Sequence, residues 1–191
     1  MFEIYHILLN SLNEIKLWEI SSDNSFESCN VEYMKSLTNS HKMKSIAFNS
    51  TGNLMATGDD DEKIKLWHIT DDIQMTRNIK TILKHVAPVN SVAFHPNQNI
   101  LATGSSDRTT ILWRISSDES FVNWEVRCII KLKGHIDDIT SISFHKRYPF
   151  LATCSQDKIK IWKLNEDGEV ENNNSNGIMI RTMRPQISSN L

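Results

Sequence analysis

Short runs of alternating apolar and polar residues dominate the chain. EIKLWEI (14–20), KIKLWHI (63–69), TTILWRI (109–115) and KIKIWKL (158–164) share one pattern. Their tryptophans, Trp18, Trp67, Trp113 and Trp162, recur at nearly constant separation. A second element precedes three of them: NLMATGDDD (53–61), NILATGSSD (99–107) and PFLATCSQD (149–157). A third lies further upstream: SIAFN (45–49), SVAFH (91–95) and SISFH (141–145). Nine residues separate Phe48 from Thr57, Phe94 from Thr103 and Phe144 from Thr153, and four more lead to Asp61, Asp107 and Asp157. Spacings held in register three times over mark an internal repeat. Each run is short, alternates in polarity and is rich in Ile, Val, Phe and Trp, which predicts a strand. NSTGN, HPNQN and HKRYP, between the third and second elements, predict turns. VEYMKSL (31–37), NIKTILK (78–84) and VRCIIKLK (126–133) supply a fourth strand. No segment keeps helical spacing and no βαβ alternation occurs, so the expected class is all-β with antiparallel hairpins.

Two stretches, LKHVAPVNSVAFHPNQNILATGSSDRTTILW (83–113) and LKGHIDDITSISFHKRYPFLATCSQDKIKIW (132–162), carry a wider likeness. The repeat resembles that of the WD-repeat β-propeller family, over about residues 14–164. The Asp that usually follows the repeat Trp is replaced by Glu19, His68, Arg114 and Lys163. The resemblance implies that each repeat builds the outer strand of one blade and three strands of the next. It predicts a propeller segment at 1–183, with a partial N-terminal blade at 2–37 and complete four-stranded blades at about 44–84, 90–133 and 139–183. The partial blade uses FEIYHILL (2–9), the last blade takes GIMIRTM (177–183) as its outer strand, and 184–191 is a flexible tail. Such an arc is an incomplete ring, since relatives close with about seven blades. Self-association, docking to a propeller-like partner, or origin as a fragment of a longer WD-repeat protein would each account for it.

The resemblance also implies a structural tetrad in each blade: a loop His, a strand Thr, a turn Asp and the strand Trp. The matching residues are His85, Thr103, Asp107 and Trp113, then His135, Thr153, Asp157 and Trp162. Buried polar groups of these kinds need partners, and four together satisfy one another. A hydrolase triad is disfavoured because a catalytic set occurs once, whereas this one repeats with the fold. In the first complete unit Asn39 stands in the His position, beside Thr57, Asp61 and Trp67; either Asn39 substitutes, or the loop slips to use His41. Asp157 lies one residue nearer its Trp than its counterparts, which shortens that hairpin. Before Trp18 the Thr and Asp positions hold Leu8 and Leu12, so the N-terminal unit is degenerate.

Loops that follow the outer strands share one rim with the Asp-bearing hairpins, and in relatives that rim commonly meets partners. Here it places His41, Lys44, Asp60, Asn90, Ser106, Asp137, Thr140 and Gln156 as a candidate partner-binding surface. An acidic bias there suits a basic peptide. On the opposite rim SSDESFVNWE (116–125) carries Phe121 and Trp124, either as candidate loop anchors, since exposed aromatics are favoured hot spots, or as residues tucked against the blade edge.

Composition narrows the function classes. Lys+Arg is 21 against Asp+Glu 23, a net charge of −2, with no basic stripe, so no nucleic-acid role is expected. Three well-separated cysteines, Cys29, Cys128 and Cys154, form no CxxC pair, so no disulfide framework or structural zinc site is expected. His95 and His145 lie in different repeats without spaced ligands around them, so no metal is expected. No apolar stretch is long enough for a membrane helix and no secretory leader is evident, so no membrane association and a cytoplasmic or nuclear location are expected. Walker, GxSxG and HExxH motifs are absent. The expected function is a non-catalytic protein–protein interaction scaffold, with no cofactor and with proteins or peptides as partners. A substrate-recruiting adaptor of a ubiquitin ligase is the alternative, although no Arg stands where such relatives carry one. An enzyme with a site in the central channel is disfavoured.

Overall fold

The computed structural model describes residues 13–22, 29–70, 76–118, 122–165 and 179–183. Fourteen strands make up the regular structure among these residues, and none is helical. The first two, β1 (Glu14–Ser22) and β2 (Cys29–Thr38), pair as an antiparallel two-stranded sheet. The first blade follows: β3 (Met43–Phe48), β4 (Leu54–Asp59), β5 (Lys63–His68) and β6 (Arg77–Leu83), hydrogen-bonded in chain order. The second holds β7 (Val89–Phe94), β8 (Ile100–Ser105), β9 (Thr110–Ser117) and β10 (Trp124–Leu132). The third holds β11 (Ile139–Phe144), β12 (Phe150–Ser155), β13 (Ile159–Lys163) and β14 (Met179–Met183). Among the described residues the sheets stack face to face in an open row and do not close into a ring. Segments 2–9 and 184–191 and Phe121 lie outside the described residues.

Alternation along each strand is what makes stacking favourable, because both faces of a middle strand are apolar. Leu54, Ala56, Ile64 and Leu66 look forward from the first blade onto Val89, Val92, Leu101, Ile111 and Trp113 of the second. Ile100, Ala102, Leu112 and Leu132 look forward from the second onto Ile139, Ile142, Leu151 and Trp162 of the third. Ile15, Leu17 and Leu37 of the two-stranded sheet close over Met43, Met55 and Trp67.

Gly58 and Gly104 let the next blade come close. A Cβ on Gly58 would stand 2.6 Å from Val89 Cγ1 and 2.9 Å from its carbonyl oxygen; one on Gly104 would stand 2.5 Å from Ile139 Cγ2. Polar ties run between blades as well. The Val92 N–H donates to Ser45 Oγ at 3.0 Å, and the Ile142 N–H donates to Ser91 Oγ at 3.1 Å, the same bond one blade on.

The hairpins before the Trp strands differ in one respect. Glu62 and Arg108 take left-handed φ values of 70° and 66° at the turns of the first and second blades. The third hairpin, one residue shorter, has no such residue.

Candidate functional site

Each tetrad begins with the Thr of the second strand in a blade, whose hydroxyl faces inward because the residues on either side of it face the other way. In the second blade Thr103 is fully buried, and Trp113 Nε1 donates to its Oγ1 at 3.0 Å. His85, in the loop before β7, reaches the same oxygen with Nε2 at 2.9 Å, while its Nδ1 meets Asp107 Oδ2 at 2.8 Å. Asp107 is bound again from its own turn by the Thr109 N–H at 3.0 Å. Burial alone would raise this carboxyl; hydrogen bonds from His85 and Thr109, aided by Lys131, instead hold it well below the usual carboxylate range.

The third blade repeats the device. Trp162 Nε1 donates to Thr153 Oγ1 at 2.8 Å, His135 Nε2 meets that oxygen at 2.8 Å, and His135 Nδ1 meets Asp157 Oδ1 at 3.2 Å. Ser155 joins the set, donating to Asp157 and lying 2.9 Å from His135 Nδ1. Burial holds His135 below its ordinary value, so the ring is neutral near pH 7. A carboxylate only accepts, so the ring proton sits on Nδ1, and the Thr153 hydroxyl donates to Nε2. Every donor then points one way, from indole to hydroxyl to imidazole to carboxylate. Burial works against ionisation of Asp157, yet bonds from Ser155, Lys158 and His135 bring it down to about 2.

The first blade is built differently. Asn39 is buried in the loop position and His41 is exposed. Asn39 Nδ2 donates to Asp59 Oδ2 at 3.1 Å, so the carboxylate facing it is Asp59, not Asp61. Asp59 occupies the place that Ser105 and Ser155 hold in the other blades. Asp61 instead pairs with Lys63 and with His41 Nε2 at 3.1 Å. Trp67 Nε1 still reaches Thr57 Oγ1, at 3.3 Å. Asp59 is only 1% exposed, and burial, then its neighbour Asp61, push it up to about 6. Burial also opposes charge on Asp61, but Asp59, Lys63 and His41 together keep that group below its ordinary value. In the N-terminal sheet Trp18 Nε1 is buried with no partner among the described residues.

On the rim, several of the candidate contact residues are engaged with one another. Lys44 Nζ donates to Asn90 Oδ1 at 3.0 Å, and Asn90 Nδ2 bridges to Ser106 Oγ at 2.9 Å and to the Ile139 carbonyl at 3.0 Å. The bonds to Lys44 and to Ile139 tie successive blades together. His41 also lies 3.9 Å from Asp60. Asp137 Oδ1 accepts the Asp138 N–H, and the Thr140 hydroxyl bonds the Cys154 carbonyl; Gln156 is exposed. Trp124 is the first residue of β10 and packs on the core between the first and second blades, 5.4 Å from the His68 ring. That packing is the tucked arrangement, the second of the two readings of this residue.

Sequence reasoning passed over Val86 and Ile136. They are 74% and 71% exposed, each directly after a tetrad His, at the same place in successive blades. An apolar residue fixed beside His in an otherwise polar loop was the available signal. It also passed over the part His95 and His145 play in their turns. His95 Nδ1 accepts the Asn97 N–H at 3.2 Å, and His145 Nδ1 accepts the Arg147 and Tyr148 N–H groups at 3.0 Å.

The model of the WD domain, G-beta repeat, matches residues 32–68, 76–114 and 126–163. Each match begins in or just before the outermost strand of one sheet and ends at the third strand of the next, the offset seen in the strand order. No curated protein matches the chain. Among the described residues no helix is long and apolar enough to cross a membrane. Proteins built on such repeats generally serve as interaction scaffolds and are typically not enzymes. With three matched repeats, three four-stranded antiparallel blades and recurring buried polar sets, the chain belongs to the WD40, or G-beta, repeat family.

Proposed function

We propose that the chain is a non-catalytic scaffold that binds a protein or peptide on the rim bearing His85 and His135. The observation that carries this reading is the pair Val86 and Ile136. Burying exposed aliphatics is favourable at about 25 cal/mol per Å², and these two are held out in water by loops anchored to buried tetrads. Asp60, Asp137 and Asp138 lie on the same rim, which suits a partner presenting an apolar residue among basic ones. Free Cys128 and Cys154 suit a reducing compartment, cytoplasm or nucleus. The test is affinity purification with mass spectrometry, comparing wild type with a Val86→Asp/Ile136→Asp double variant. The variant should keep its thermal midpoint and lose its partners. Recovery of the same set by both proteins overturns the reading.

A second interaction, docking that extends the row of blades, is supported by the forward face of the third blade. Phe150, Ala152, Cys154, Ile159 and Ile161 are half-buried there, whereas their counterparts Ile100, Ala102, Gly104, Thr110 and Leu112 are buried. Apolar sheet faces of this kind are association-prone. Light scattering should report a mass above the monomer that falls to the monomer in Ile161→Glu. A folded wild type of monomer mass removes self-association as the means of covering that face.

A further inference from the structure

The opposite rim holds a recess of about 400 Å³ between the turns that join the first and second strands of successive blades. Phe48, Phe94 and Pro96 give it apolar walls, and His95, Lys146 and Arg147 stand at its edge. Of the three equivalent turns, NSTGN, HPNQN and HKRYP, only the last is doubly basic, and that is the one bordering the recess. Lys146 and Arg147 are exposed and have no carboxylate partner among the described residues. The His95 ring is fixed edge-on to Phe144, with centroids 5.1 Å apart. Burial keeps it neutral, and the Asn97 N–H occupies Nδ1, so Nε2 carries the proton and is a donor. An apolar pocket edged by two cations and one neutral N–H donor matches an apolar side chain flanked by carboxylates.

We propose that this recess is a second binding site, taking an acidic peptide segment with one aromatic or aliphatic residue seated against Phe48 and Phe94. It is independent of the rim reading above, because it lies at the other end of the strands. A peptide suits it better than a nucleic acid: the cations are confined to one turn, while the walls are apolar and the chain as a whole carries net charge −2. Arg147 offers a planar fork for a carboxylate, and Lys146 adds a mobile charge.

The test is fluorescence anisotropy on the full chain with a dye-labelled peptide of one phenylalanine between two pairs of glutamates. The same peptide with lysines in place of glutamates is the control. The glutamate peptide should bind and the lysine peptide should not. Lys146→Glu/Arg147→Glu should weaken binding by about tenfold or more, with the thermal midpoint unchanged, because both charges act at short range on the ligand. Val86→Asp/Ile136→Asp, on the other rim, should leave it as it is. Equal binding to wild type and the charge-reversed variant overturns the proposal. So does the absence of saturation with millimolar peptide, or tighter binding of a single-stranded oligonucleotide than of the glutamate peptide.

Discussion

The first and second blades share strand order and register, yet they secure their loops by different chemistry. In the second, His85, Thr103, Asp107 and Trp113 form one connected set, with Thr103 serving both the imidazole and the indole. In the first, the set divides. Thr57 holds Trp67, while Asn39 holds Asp59, a carboxylate kept in a buried place without the imidazole that binds Asp107 in the second blade. Both halves satisfy polar groups locally, but burial of the carboxylate is offset by hydrogen bonds at Asp107 and is left uncompensated at Asp59. The backbone architecture therefore tolerates either network, since apolar stacking between blades supplies most of the driving force and the polar set orients the loop.

The largest test of that difference is removal of the shared hydroxyl. Thr103→Val leaves two buried partners unpaired and should cost about 2–3 kcal/mol, whereas Thr57→Val strands only the indole and should cost about 1 kcal/mol. Urea unfolding measures both; equal losses would mean that the first blade is as connected as the second.

Next in size is the close approach that both blades share and the third does not use. Gly58→Ala places a methyl 2.6 Å from Val89 Cγ1 and against its carbonyl. Overpacking of that kind should cost about 2 kcal/mol. Cys154→Ala, on the uncovered face, should stay within about 0.5 kcal/mol. The thermal midpoints of the two variants provide the comparison.

A pH series separates the blades by sign. Asp59 titrates in the folded state at about 6, above its ordinary value near 4. Its contribution is fully present below about pH 4 and is lost as pH rises through about 6. Asp59→Ser, which restores the residue type of the other blades, should stabilise by about 1–2 kcal/mol at pH 7 and give no gain near pH 4. His135 runs the other way. Its folded value lies below the ordinary one, so its contribution is present above the ordinary value and is lost as pH falls. Hydrogen exchange of first-blade and third-blade amides, corrected for intrinsic rates, should therefore diverge on acidification, the first gaining protection relative to the third. Parallel behaviour would remove Asp59 as the cause.

The smallest effect lies in the turns. Arg108→Gly relieves a left-handed φ of 66° and should stabilise by less than about 1 kcal/mol. Glu62→Gly, at 70°, should do the same. A thermal midpoint that falls in either variant would show that the side chain contributes more than the turn strain costs.

Much of this molecule is legible along the chain, because a repeat prints the same physical requirement several times. The alternation around Trp67, Trp113 and Trp162 marks strands that bury both faces, and the Thr of each ATG or ATC triplet marks the hydroxyl beneath the indole. Asn39 in the loop position is also readable by alignment. Its carboxylate partner is not, since Asp59, Asp60 and Asp61 are adjacent and only the pleat decides which of them points inward. Trp124 reads as part of a polar loop but lies in β10, where stacking of the first two blades draws it in. Lys44 and Asn90 read as solvent-facing and are drawn into a strap between blades, a pairing across forty-six residues that no local pattern encodes.

The amino-acid order by itself determined the repeat, the strands and the kinds of polar residue each blade buries, because period-two alternation and fixed spacing are local properties. Tertiary structure decided which acid faces Asn39, which rim residues are spent on holding blades together, and which stay exposed. It also decided where a recess forms between neighbouring turns. Those outcomes depend on how one sheet sits on the next, and stacking distance and register are set by the whole interface rather than by any single segment.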